Sequence, residues 1–195
     1  MVASGEIAVA RAVLIHGPLS RTALTTRLEL SPASLTRLAK PLIDKGFLVE
    51  LGDVADGSVG RPSRPLDVAP DAGRFVGVKL TGEHLYAVAT GIRAEPKAWH
   101  DQPLTSRSPD DVVSDIVRSV EALDVTDLSG VGVSLGGFIR SGVVESAPFL
   151  EWSGVDLGGM LSSRLGVPVT VENDVVALAE AERWFGMGRN LPGFV

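Results

Sequence analysis

One device, used twice in quick succession, constrains this chain more than any other feature. Leu19-Ser20 and Leu30-Ser31-Pro32 each set an apolar residue directly before a serine, and Leu24 and Leu35 follow at the matching distance. A serine so placed accepts the free amides of a helix's first turn, while the two leucines clamp the entry as a hydrophobic staple. Pro32 stands at the first helical position, where its missing N–H has no partner to lose. Two helices are therefore predicted to begin just after Ser20 and Ser31. The turn between them is only Glu29 and Leu30 leading into Ser31, the spacing of a helix-turn-helix.

The flanking residues extend this pattern. A first helix is expected over 6–16, with Ile7, Ala10, Leu14 and Ile15 apolar, and Gly17-Pro18 closes it. The third helix should end near Gly46 and bury Leu35, Leu38, Ala39, Leu42 and Ile43, a stripe at helical spacing. Pro41 should kink its last turn. Strands over 47–49 and 66–68, joined by a glycine-rich turn at 52–60 and the segment Arg61-Pro-Ser-Arg64-Pro, complete a wing. In such a domain the later helix enters the DNA major groove. Its outer face offers Ser31, Ala33, Ser34, Thr36, Arg37 and Lys40. Arg37 suits a guanine edge, the hydroxyls suit bases or phosphate, and Ala33 suits a thymine methyl. Arg61 and Arg64, stiffened by prolines, suit the backbone or a narrow minor groove. The plainer alternative is a three-helix bundle followed by a solvated proline-rich linker.

Charge points the same way without strengthening the case much. Of the formal −6, residues 1–70 contribute eight Lys/Arg against seven Asp/Glu, and residues 71–195 ten against seventeen. A polyanion should meet the first part, and by placed side chains more than bulk charge. The chain has no cysteine, which excludes disulfides, thiolate metal sites and a cysteine nucleophile within it. No apolar run is long enough to span a membrane, and the expectation is a cytoplasmic protein with no catalytic residue, metal or cofactor.

From Gly73 the pattern changes. Strands are expected over 75–80 and 85–90, as a hairpin turning near Gly82, and over 98–104. An amphipathic helix follows at 109–123, burying Val112, Val113, Ile116, Val117 and Val120. A buried strand at 131–135 then runs into Gly136-Gly137. A helix at 156–165, a strand at 167–171 and a helix from about Asp174 complete the series. Antiparallel strands followed by strand-helix-strand units predict an α/β fold, the first lobe of an actin-like, ribonuclease-H-like domain, behind an N-terminal winged helix-turn-helix. The domains are expected at 1–70, binding DNA, and 71–195, a partial actin-like unit.

Several ordered motifs resemble one family. "GPLSRTALTTRLELSPASLTRLAKPLIDKGFLVE", followed by "GRPSRPLDVAP" with Gly60-Arg61-Pro62, resembles the N-terminal domain of repressors of the ROK family (repressors, open reading frames and sugar kinases). "GVGVSLGGFIRSGVVESAPFLEW" and "LGVPVTVENDVVALAEAERWFGMGRN" are similar to segments of its actin-like domain. The resemblance implies that Asn173 and Asp174 bind a sugar, the aspartate being the base in the family's kinases, and that Gly137 lines the site. Read as residues alone, an Asn-Asp pair at a strand-to-helix junction is also what capping requires, and a Gly-Gly turn needs no ligand. Gly136 departs from the family's usual proline, and Arg140 from an aspartate.

The departure with most consequence is in the phosphate loop. Where the family's kinases carry Asp-x-Gly-Gly-Thr, this chain has Lys79-Leu80-Thr81-Gly82-Glu83. Lysine cannot hold magnesium and Glu83 repels phosphate, which argues against kinase activity; His84 reads as a strand residue, not a base. The family pattern continues past "GMGRNLPGFV" into a second lobe, so a C-terminally truncated member is expected, with half a sugar pocket and exposed apolar surface. The resemblance implies a bacterial sugar-responsive transcriptional repressor that binds double-stranded operator DNA as a homodimer or higher oligomer, with a sugar or sugar phosphate as effector. The rivals are a sugar kinase with an appended DNA-binding domain and a non-catalytic protein-interaction module.

Overall fold

The computed structural model describes residues 4–52 and 64–190. The chain divides into two compact units, Met1–Ala72 and Gly73–Val195.

In the first unit α1 (Ser4–His16), α2 (Arg21–Leu28) and α3 (Pro32–Asp44) precede two short strands, β1 (Leu48–Glu50) and β2 (Leu66–Val68). Both serine caps form. Ser20 Oγ accepts the Ala23 amide and Ser31 Oγ the Ser34 amide, each at 3.1 Å. Leu24 and Leu35, the inner halves of the staples, are fully buried. α2 ends on Glu29, whose left-handed backbone (φ 53°) reverses the chain without a glycine. Gly17 is obligatory for another reason: a Cβ there would lie 2.4 Å from the Val13 carbonyl oxygen. β1 and β2 pair antiparallel, Leu48 opposite Val68. Leu19 forms a separate antiparallel bridge on the other side of β2 by exchanging backbone hydrogen bonds with Leu66 at 3.0 and 2.9 Å, which ties the entry of α2 to that strand.

The face of α1 corrects the expectation. Val9, Ala12 and Val13 are buried, whereas Ile7 is 48% exposed and Ala10, Leu14 and Ile15 are half-buried. Residues 7–10 and 12–15 are all apolar, so periodicity could not choose a side; packing did. In α3 the expected stripe holds, with Leu35, Ala39 and Leu42 buried and Leu38 and Ile43 half-buried. The helix continues through Pro41 to Asp44.

The second unit is built on a five-stranded sheet in the order β5-β4-β3-β6-β9. Its strands are β3 (Arg74–Leu80), β4 (His84–Gly91), β5 (Pro96–Pro103), β6 (Leu128–Leu135) and β9 (Val169–Asn173). β3, β4 and β5 form an antiparallel meander, while β6 and β9 join β3 in parallel. The small hairpin of β7 (Phe138–Arg140) and β8 (Val143–Ser146) follows Gly137 and was not anticipated. α4 (Pro109–Ala122) and α5 (Leu157–Leu165) supply Val112, Val113, Ile116, Leu157 and Leu161 to a core with Val76, Val78, Leu80, Val131 and Val133. β9 lies two residues later than expected and ends on Asn173, directly against α6 (Asp174–Trp184). No residue of α6 is buried.

Candidate functional site

Two surfaces bring predicted residues together, one in each unit. In the first unit α3 turns Ser31, Ala33, Thr36, Arg37 and Lys40 to solvent, with Ser34 half-buried beside them. The hydroxyls are partly committed: Ser31 Oγ donates to Ser34 Oγ at 3.0 Å, and Thr36 Oγ1 donates to the Pro32 carbonyl at 2.9 Å. Lys40 pairs with Asp44 one turn on, at 3.1 Å, an exposed contact that a phosphate can displace at little cost. Arg37 has no hydrogen-bond or ion-pair partner among the described residues. Its five donors therefore stand available midway along the outer face. Arg64 is exposed just before β2, while Arg61 lies outside the described residues.

In the second unit the carboxyl ends of the parallel strands β3, β6 and β9 converge, the place where open α/β sheets carry ligands. Lys79 is the penultimate residue of β3, β6 runs into Gly136-Gly137, and β9 ends on Asn173 directly before Asp174. Asn173 is used at both ends of its amide. Oδ1 accepts from the Val175 and Val176 amides at 2.9 and 3.4 Å, and Nδ2 donates to the Gly137 carbonyl at 2.8 Å. It caps α6 and pins the glycine turn in one stroke. Gly137 has φ 147°, and a Cβ there would meet the Ser146 carbonyl oxygen at 2.4 Å, so the hairpin demands glycine whatever else lies near.

Asp174 is different. Its Oδ2 takes a hydrogen bond from the Lys79 ammonium, and its Oδ1 one from the Val175 amide at 3.0 Å. Both side chains of the ion pair stay about one-third exposed, at 38% and 34%. The ammonium's hydrogen bond holds the Asp174 carboxyl below the ordinary aspartate range; partial burial opposes this, and the charge of Lys79 and the backbone amides reinforce it. Phe149 covers Gly82 and Gly136 beside this carboxylate.

The β3–β4 turn is closed on itself. Thr81 Oγ1 accepts the His84 amide at 2.9 Å and the Glu83 amide at 3.4 Å, and donates to the His84 carbonyl at 2.9 Å. The amides that would otherwise face an anion are directed at the threonine's own oxygen. His84 begins β4 and stacks on Tyr86, with ring centroids 5.8 Å apart. Below, on the sheet face opposite α4 and α5, a hollow of about 550 Å³ is lined by Gly77, Lys79, Trp99, Gly132 and Glu172 among others. Lys79 thus belongs to both places: it lines the hollow, and its ammonium reaches Asp174. No group of three or more potential metal-ligating side chains occurs among the described residues.

The sequence pattern described as the ROK family matches residues 75–195, well over half of the chain. This chain belongs to the ROK family. A putative xylose repressor of Caldicellulosiruptor sp. (strain Rt8B.4) is 26% identical, over 93% of this chain and 47% of its own length. The crystal structure of a ROK family transcriptional regulator, a homologue of the Escherichia coli Mlc protein, aligns over 94% of this chain and 50% of its own, with TM-score 0.75 and 26% identity. A ROK family glucokinase from Streptomyces griseus, solved with glucose and AMPPNP, aligns over 60% of this chain and 38% of its own, with TM-score 0.56 and 26% identity. The chain spans about half the length of the curated relatives it matches. The regulator aligns along nearly the whole of this ROK chain, and the mixed α/β class stands.

Two parts of the ROK site escaped the sequence. Lys79 was read only as the loss of a magnesium ligand, not as the partner of Asp174, because 95 residues separate the two and only the strand order brings them together. Thr81 was read as a lost glycine, although a hydroxyl two residues before a turn amide is a recognisable signal for an ST-turn.

Proposed function

We propose that this chain is a sugar-responsive transcriptional repressor that binds operator DNA through α3 and the wing. The observation that carries the proposal is the outer face of α3: a doubly capped helix-turn-helix holds Arg37 exposed and unpartnered among the described residues, with Ser31, Ser34, Thr36 and Lys40 around it. The Mlc-homologue regulator, matched along nearly the whole chain, supports the same reading. Arg37 reads a base edge, while Lys40, Arg64 and Arg61 hold the phosphate backbone. The operator is palindromic and the protein binds as a dimer. Domain boundaries at 1–70 and 71–195 divide DNA binding from sensing, with Gly137, Asn173 and Asp174 forming the sugar side.

The geometry of the second unit supports a sensor over a kinase. Thr81 Oγ1 takes the Glu83 and His84 amides of the β3–β4 turn, and Lys79 stands where a magnesium-binding carboxylate would be needed. Sugar-dependent release of ADP from ATP by this chain would contradict that. Asn173 positions the site by fixing Gly137 and the start of α6, and Asp174 is the group left to meet a sugar hydroxyl. A shift assay with duplex DNA, repeated with glucose and xylose added, tests the whole proposal; failure to bind any duplex at low salt would sink it.

A further inference from the structure

We propose that Lys79 is the specificity-determining residue of the Asp174 site, an internal occupant that a neutral sugar displaces and that disfavours cationic amino sugars. The inference rests on the reading of Asp174 as a sugar-binding carboxylate.

The argument begins with what each oxygen of Asp174 is doing. Oδ1 is held by the Val175 amide at the start of α6, and Oδ2 by the Lys79 ammonium. A ligand hydroxyl that donates to Oδ2 competes there with Lys79, while the Val175 amide, shared with Asn173 Oδ1, stays fixed at the helix start. Lys79 can move. Its side chain is 38% exposed, it lines an open hollow of about 550 Å³, and it makes no other ion pair among the described residues. The ammonium stem sits between that hollow and the carboxylate, so displacement requires rotation of one flexible side chain and no change of backbone.

The charge of the surroundings sets the ligand class. Glu172 and Glu180 line the same hollow, but Glu172 accepts the Asn173 amide at 2.8 Å and Glu180 pairs with Arg183 at 3.3 Å, so Lys79 is the cation that stands directly against Asp174. With Lys79 present, the carboxylate is already neutralised by a permanent cation. A protonated amino sugar meets the repulsion of Lys79 on top of that competition, whereas a neutral sugar has to outcompete only one partly exposed ion pair. The β3–β4 turn offers little to offset this, because Thr81 has taken the Glu83 and His84 amides and Glu83 adds a negative charge. The site is therefore built for a neutral polyhydroxyl ligand and guarded against a positively charged one.

The test measures glucose, xylose and glucosamine binding to the 195-residue chain by calorimetry, for wild type, Lys79→Gln, Lys79→Arg and Asp174→Asn. Removing the internal competitor should strengthen neutral-sugar binding on the order of fivefold, about 1 kcal/mol for a partly exposed pair. Glucosamine should gain more than that in Lys79→Gln, because repulsion is lost as well. Lys79→Arg should restore the wild-type ranking, and added salt should strengthen wild-type binding but leave Lys79→Gln unchanged, which a merely structural role would not produce. Equal or weaker sugar binding by Lys79→Gln overturns the proposal while leaving the sugar site intact. No sugar binding by wild type or Lys79→Gln, or binding indifferent to Asp174→Asn, overturns the sugar reading and the proposal with it.

Discussion

Arg37 and Asp174 illustrate how differently two charged side chains can be prepared for a partner. Arg37 projects from a helix whose inner face is anchored by Leu35, Ala39 and Leu42, so its position is set while its donors stay available. Replacing it with alanine should cost about 1–3 kcal/mol of discrimination at one base position, measured by comparing operator variants, with fold stability unchanged. Asp174 is held ionised by Lys79. Because its folded pKa lies below the unfolded value, the stability it contributes is present at neutral pH and is lost as pH falls through the lowered folded value. Following the Asp174 carboxyl resonance by NMR should show a titration midpoint below that of an unperturbed aspartate, and Lys79→Gln should raise it; an unmoved midpoint would show that Lys79 is not the cause. Arg37 was legible in the sequence from helical spacing alone. The Lys79 contact was not, since it depends on β3 and β9 flanking β6.

At the scale of elements, the parts that could be read in advance are those with local causes. The caps of α2 and α3 depend on residues within three positions of one another, and both formed as the serine patterns predict. Ser20→Ala or Ser31→Ala should each cost about 1 kcal/mol in chemical denaturation of the first unit. Leu35→Ala, by contrast, should cost about 2–5 kcal/mol, because it empties a fully buried site. The face of α1 was illegible because apolar residues surround the helix, and the Leu19–Leu66 bridge was illegible because it joins an inter-helix segment to a strand far along the chain. The β7–β8 hairpin was missed because its strands are only three and four residues long. Its glycine, however, was marked: Gly137→Ala should disturb the hairpin and, through the Asn173 bond, the start of α6, which the loss of amide-exchange protection at Val175 and Val176 would report.

For the whole molecule, charge and exposed apolar surface are the quantities that govern partners. Residues 1–70 carry a net charge of only +1, so affinity for DNA must come from few contacts, and its dependence on salt should be shallow compared with a strongly basic domain. The second unit exposes Trp99 at 72%, Val175 at 70% and Leu178 at 63%. Surfaces of this kind favour association, so sedimentation should show a concentration-dependent shift above monomer mass, and Trp99→Lys should weaken it. Among the described residues no helix is long and apolar enough to cross a membrane. The change of pattern at Gly73 was legible in the sequence, and the chain divides into compact units at that point.

The central claim is that α3 reads DNA and that a sugar held at Asp174 weakens that reading. Selection of bound duplexes from a random pool tests it most directly, with the recovered sequences then challenged by neutral sugars in a shift assay. The account predicts a palindromic consensus for the wild-type chain, loss of preference at one position of each half-site for Arg37→Ala, and release by sugar that Asp174→Asn abolishes. Recovery of no consensus, or the same consensus from Arg37→Ala, would contradict it.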